Sequence, residues 1–265
     1  REAMDYFKQY LIVGGMPQAV ETYIKTRSFK EVDLIKRDIL NLYKDDIVKY
    51  SGDDSIKVQS IFEEVPSQLQ KHEKRFSFNS MQKDARYRDY KDAFFWLQES
   101  MIVNIAFNTT EPNIGLRLNR ESSALKCYMG DTGLLLSLAF DEKGLVDEEI
   151  YRKILFNKLT FNEGMIMENI VAQMLTATGK KLYFYFNYDK QNSANNMEID
   201  FLIAKNKITS KHNISPLEVK SGKNYTFSSL NKFKNKYKEY LSTAYVLHIE
   251  DLRVEDDIIF LPVYM

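Results

Sequence analysis

Three short stretches of the chain carry residue types that could do chemistry together. Met197-Glu198-Ile199-Asp200-Phe201-Leu202 places an acid at the start of an apolar strand, and Pro216-Leu217-Glu218-Val219-Lys220 places an acid and a lysine two residues apart on the next. Residues i and i+2 of a strand share a face, so Glu218 and Lys220 project together while Leu217 and Val219 turn to the opposite, core-facing side. If the two strands are neighbours, Asp200 joins them. Two carboxylates that close repel, and Mg²⁺ relieves the repulsion by taking hard oxygen ligands from Asp200, Glu218 and the carbonyl of Val219. The ion lowers the pKa of a coordinated water and offsets charge building on a phosphate, while Lys220 orients or deprotonates the nucleophile. The third stretch is an apolar helix that precedes both strands and carries Glu168.

The same residues also admit plainer readings. Acid-x-lysine triplets recur in this chain, as in Asp89-Tyr90-Lys91 and Asp141-Glu142-Lys143, and Glu218 and Lys220 could form an ordinary solvated strand face. Glu168 equally fits an exposed acid on an amphipathic helix. Glu198 lies on the same side of its strand as Asp200, where it either substitutes as a ligand or faces water. Asp131-Thr132-Gly133, ahead of a leucine run, reads as a turn and helix start capped by Asp131 or Thr132 rather than as a metal or phosphate site.

Hydrophobic periodicity supplies the elements that must position these residues. Apolar residues recur at helical spacing over 1–13, 29–50, about 55–70 and near 86–100, with a sharp break at Gly14-Gly15-Met16-Pro17. Strand-like runs at 101–107 and 125–129, joined by a polar loop, then suggest a hairpin. Helices followed by a hairpin resemble a winged helix, although many helical domains end the same way. An acidic segment, 141–149, separates this block from a strong helix at 161–178. Runs at 182–186, 198–203, 217–220 and 244–249 read as strands, with a helix at 227–240 between the last two and a final strand at 258–263. The earlier strands suit a meander, and the pair flanking the helix suits a parallel crossover.

Composition narrows the function classes. The 265 residues are 44% hydrophobic and 28% charged, and a single cysteine, Cys127, cannot form an internal disulfide. With no apolar run long enough for a membrane span and no signal peptide, we expect a cytoplasmic protein with no membrane partner. Lys and Arg number 37 and Asp and Glu number 37, which rules out a globally basic nucleic-acid binder. Charge is nevertheless segregated. Residues 205–240 hold nine lysines against two glutamates, including Lys211, Lys223, Lys232 and Lys236, and would surround the acid cluster. Residues 71–91 are also basic, and Arg86 and Arg88 fall where a winged helix would present its recognition helix. Such side chains bind backbone phosphates without reading sequence, although a lysine-rich helix can equally be a solvated face.

Glu168, Asp200 and Glu218-Val219-Lys220, in the order helix, strand, strand, resemble the PD-(D/E)XK nuclease superfamily. Gly14-Gly15-Met16-Pro17, Arg37-Asp38-Ile39, the run Lys126-Cys127-Tyr128-Met129-Gly130-Asp131-Thr132-Gly133-Leu134-Leu135, Glu168-Asn169-Ile170-Val171-Ala172 and Glu198-Ile199-Asp200-Phe201 together resemble the non-ATPase half of a large prokaryotic family of AAA+ ATPases. In that family an ATPase core is followed by a lid-like segment, a winged helix and a nuclease-like domain of unknown function. The resemblance implies Asp200 and Glu218 as metal ligands, Lys220 as the water-activating lysine, and Glu168 as an auxiliary acid.

These readings combine into an α+β protein with a helical, winged-helix N-terminal part and a restriction-endonuclease-like α/β domain. Residues 1–50 would be a linker from an ATPase core, 51–140 a winged helix, and 155–265 the nuclease-like domain. Since the chain opens at Arg1 directly into a helical pattern, the ATPase core, and with it any ATP site, is expected in a missing N-terminal region. The expected activity is Mg²⁺- or Mn²⁺-dependent cleavage of DNA, with the ATPase core as a partner and homo-oligomerisation open. The alternative is a catalytically silent fold that binds nucleic acid or another subunit.

Overall fold

A computed structural model describes residues 2–71, 73–141, 148–155, 163–205, 211–222 and 224–265. The chain is mixed α+β and divides into two compact units, Arg1–Ile105 with Cys127–Gln173, and Ala106–Lys126 with Met174–Met265. None of the described helices is long and apolar enough to cross a membrane.

The first unit holds α1 (Glu2–Val13), α2 (Pro17–Thr26), α3 (Phe29–Tyr50), α4 (Ser55–Gln70), α5 (Tyr87–Glu99), α6 (Thr132–Ala139), α7 (Glu148–Leu155) and most of α8 (Glu163–Ala177). Its boundaries follow local chemistry. Gly14, at φ +80°, ends α1, and Pro17 starts α2 in the first turn, where its missing N–H costs nothing. Ser28 caps α3, and the Asp131 carboxylate caps α6 by accepting the Leu134 N–H at 2.9 Å, the role expected of the Asp-Thr-Gly turn. Asp131 also accepts the Gly15 N–H at 2.6 Å. A Cβ at Gly133 would stand 2.6 Å from the Gly14 backbone, so the two glycine motifs of the sequence meet at one backbone contact.

Buried polar groups bind this unit further. Asp33 is fully buried and accepts from Ser137 (2.6 Å), Tyr151 (2.5 Å) and Arg37 (2.8 Å). The equally buried Lys36 donates to the carbonyls of Ile12 (2.8 Å) and Gly133 (3.2 Å).

The sheet has eight strands: β1 (Val103–Thr109), β2 (Arg120–Met129), β3 (Leu182–Asn187), β4 (Met197–Ala204), β5 (Ile214–Val219), β6 (Ala244–His248), β7 (Arg253–Glu255) and β8 (Ile258–Pro262). Their order is β2-β1-β3-β4-β5-β6-β8-β7. The hairpin expected around residues 101–129 therefore contributes the first two positions of this sheet. From β3 through β5 the pairing is antiparallel, and β5–β6 and β6–β8 are parallel, so the meander and the crossover both form as the periodicity indicates. The crossover carries α9 (Ser228–Tyr237), whose Leu230, Phe233 and Tyr237 pack on Ile199, Ile214, Val246 and Phe260.

Three elements depart from the sequence reading. Helix α2 has a short, weakly apolar pattern that does not reveal it, and α7 begins inside the acidic segment that reads as a separator. The exposed strand β7 has no apolar periodicity to reveal it.

Candidate active site

Asp200, Glu218 and Lys220 lie in the second unit, on or just after the paired strands β4 and β5. An irregular register helps to assemble them. Between the pairs Tyr183↔Leu202 and Tyr185↔Ile199, β3 advances two residues while β4 advances three, so β4 carries an extra residue around Asp200-Phe201. A bulge of this kind interrupts the ladder and re-aims a side chain. The Asp200 carboxylate accepts the Val219 N–H through Oδ2 at 2.8 Å, tying the bulge to the end of β5.

Glu218 is only 4% exposed, so the solvated strand face considered for it is not what forms. Its Oε2 accepts from the Lys220 ammonium at 2.6 Å, whereas its buried Oε1 has no hydrogen-bond partner. Burial, reinforced by the negative charge of Asp200, pushes the Glu218 carboxyl well above the ordinary carboxylate range, and Lys220 opposes that shift only in part. The Lys220 side chain, 22% exposed, stands at the rim of the cluster. Val219, expected to turn into the core, is only partly buried.

Sequence reasoning missed a second lysine. Lys126, on β2, is fully buried, with its ammonium 2.8 Å from Glu198 Oε1, 3.9 Å from Asp200 Oδ1 and 5.1 Å from the centre of the Phe184 ring. A signal was available, because a charged residue just before an apolar strand end must find a partner if it is buried. Glu198 is thus committed to an ion pair, neither simply solvated nor an open ligand position.

Glu168 belongs to the first unit and has partners there. It is 2% exposed and contacts the ammonium of Lys74 and the hydroxyl of Tyr128. The exposed-acid alternative fails because eight consecutive residues of α8, Met165 to Ala172, are buried. Its neighbour Asn169 clamps the end of β2, accepting the Met129 N–H at 2.8 Å.

The basic residues have varied surroundings. Arg86 and Arg88 are exposed at the start of α5, with Arg88 3.6 Å from Asp89. Lys211 lies 3.5 Å from Glu239, Lys232 donates to the carbonyls of Asn196 (3.3 Å) and Ser193 (3.5 Å), and Lys236 donates to the Tyr185 hydroxyl at 3.4 Å. Lys223 lies outside the described residues.

Mg²⁺ commonly takes one or two carboxylates and keeps several waters. Asp200 and Glu218 fit that demand, and the unpartnered Glu218 Oε1 is a hard oxygen already removed from water. Among the described residues no three His, Cys, Asp or Glu side chains form a fuller cage.

Residues 4–144 match the family described as a domain of unknown function (DUF8612), and residues 163–265 match a second domain of unknown function (DUF4143). No curated protein and no solved structure matches the chain significantly.

Proposed function

The chain belongs to the DUF8612 family, whose match spans more than half of it, and from that premise we propose that it is the non-ATPase part of an AAA+-type ATPase that cleaves DNA phosphodiesters in a PD-(D/E)XK-like domain. The match of residues 163–265 to DUF4143 supports the placement, because that domain typically lies in the C-terminal region of AAA-ATPase-associated proteins. The observation that carries the reading is the meeting of Asp200, Glu218 and Lys220 around a buried carboxylate oxygen with no partner.

In this reading Asp200 and Glu218 would hold Mg²⁺ or Mn²⁺, with the Val219 carbonyl as a further oxygen. The bound ion would acidify a water and neutralise charge on the phosphate. Lys220, at the rim, would orient that water as an ammonium, or would take its proton only in the neutral amine form. The Val219 N–H holds Asp200 in one orientation, which keeps the carboxylate pair preorganised. Residues 51–140 would act as a winged helix, with Arg86, just before α5, and Arg88 of α5 on backbone phosphates, and Lys211, Lys232 and Lys236 would add local positive charge.

Lys126 favours a second reading, in which the fold is silent and serves as a nucleic-acid-binding or subunit-interaction module. Its buried ammonium already compensates the acids, and Lys220 is engaged with Glu218. Incubation of the protein with single-stranded, duplex and branched DNA in Mg²⁺ or Mn²⁺ separates the two. The enzyme reading expects cleavage that Lys220→Ala lowers by about a hundredfold or more. DNA binding without cleavage would favour the silent module.

A further inference from the structure

Lys126 places a buried ammonium beside two acids, Glu198 and Asp200. Its ammonium is fully buried, bonded to Glu198 at 2.8 Å, and 3.9 Å from the Asp200 oxygen that does not take the Val219 N–H. Glu218, which feels the negative charge of Asp200, offers a buried oxygen with no partner. The cluster therefore holds both a built-in cation at Asp200 and an open hard oxygen on Glu218. Like charges in a poorly solvated site repel strongly, by several-fold more than in water. An ammonium and a divalent ion that share Asp200 must weaken one another.

We infer that Lys126 is a resident counter-cation that competes with a divalent metal for Asp200, so that it limits the cluster to one weakly held ion and sets its affinity. The inference rests on the reading of Asp200 and Glu218 as the metal-holding pair. Lys126 is a positioning residue here, because it acts on the metal through a shared carboxylate. The ion it would admit would draw on Glu218 and Asp200, and removal of the ammonium withdraws the cation that Glu198 and Asp200 share. That pair attracts a divalent oxygen-seeking cation more strongly and could hold a second ion.

The test is calorimetric and paramagnetic-resonance titration of the whole protein with Mn²⁺ alone, which needs no DNA and no activity. Lys126→Met and Lys126→Gln are compared with wild type. The second variant keeps a hydrogen-bond donor for Glu198 and serves if the first does not fold. The expected result is Mn²⁺ binding tighter by about tenfold or more in either variant, or a second bound ion. Addition of Asp200→Asn should abolish that gain. Unchanged or weaker binding in the folded Lys126 variants would overturn the inference, as would a gain that survives Asp200→Asn. Failure of the underlying metal reading has a separate signature: Mn²⁺ binding by otherwise wild-type protein that is insensitive to both Asp200→Asn and Glu218→Gln.

Discussion

The charged side chains that matter most in this chain are buried, and each is held by a definite partner or lacks one at a definite atom. Lys36 illustrates the thermodynamic side. Burial lowers its pKa from the ordinary lysine value to about 8, with Asp33 and Asp131 opposing the shift and Arg37 adding to it. Between that value and the unfolded-chain value near about 10.4, the unfolded chain binds the extra proton, so stability rises with pH across that window. Urea unfolding of the wild type should show a gain on the order of 3 kcal/mol between pH of about 8 and about 10. Lys36→Met, which has no proton to lose, should lack this gain. Parallel pH profiles for the two proteins would contradict the assignment. The same logic marks Glu218 as the chemically unusual acid, because it is desolvated, lies beside another carboxylate, and has one oxygen bonded to nothing.

At the scale of elements, the site depends on an irregular strand pair covered by one helix. Helix α9 covers β4 and β5 through Leu230, Phe233 and Tyr237, and Phe233 is fully buried. Phe233→Ala should cost roughly 3–5 kcal/mol of unfolding free energy, measured by urea denaturation. A loss under about 1 kcal/mol would mean that the packing described is not what holds the unit together. Periodicity made α3, α4, α9 and the order of β3 to β6 legible because each has one strongly apolar face. It also placed Asp200 and Glu218 on successive strands. The bulge in β4 was not legible, because it depends on the partner strand's register rather than on any local residue. The partners of Lys126 were not legible for a related reason. The lysine sits on β2, far in sequence from Glu198 and Asp200, and only the sheet order brings the three together. The glycine motifs were visible as letters, but their meaning, a backbone contact between Gly14 and Gly133, is tertiary.

At the scale of the whole chain, equal numbers of acidic and basic residues conceal local imbalance. The described lysines of α9 are partly engaged, as Lys232 and Lys236 show, and Lys74 of the earlier basic stretch is committed to Glu168. DNA affinity should therefore come from few phosphate contacts and weaken steeply with salt. Arg86→Ala and Arg88→Ala should each lower the slope of log affinity against log salt by about 1. A slope unchanged in the double variant, read by fluorescence anisotropy over a salt series, would remove α5 from the interface.

The most direct test of the central claim is the rate of duplex DNA cleavage in Mg²⁺ by wild type and by Asp200→Ala, each purified identically. The acid–lysine cluster predicts metal-dependent cleavage by the wild type and a loss of about a hundredfold or more in the variant. Equal rates in the two proteins, or no cleavage by the wild type, would contradict it.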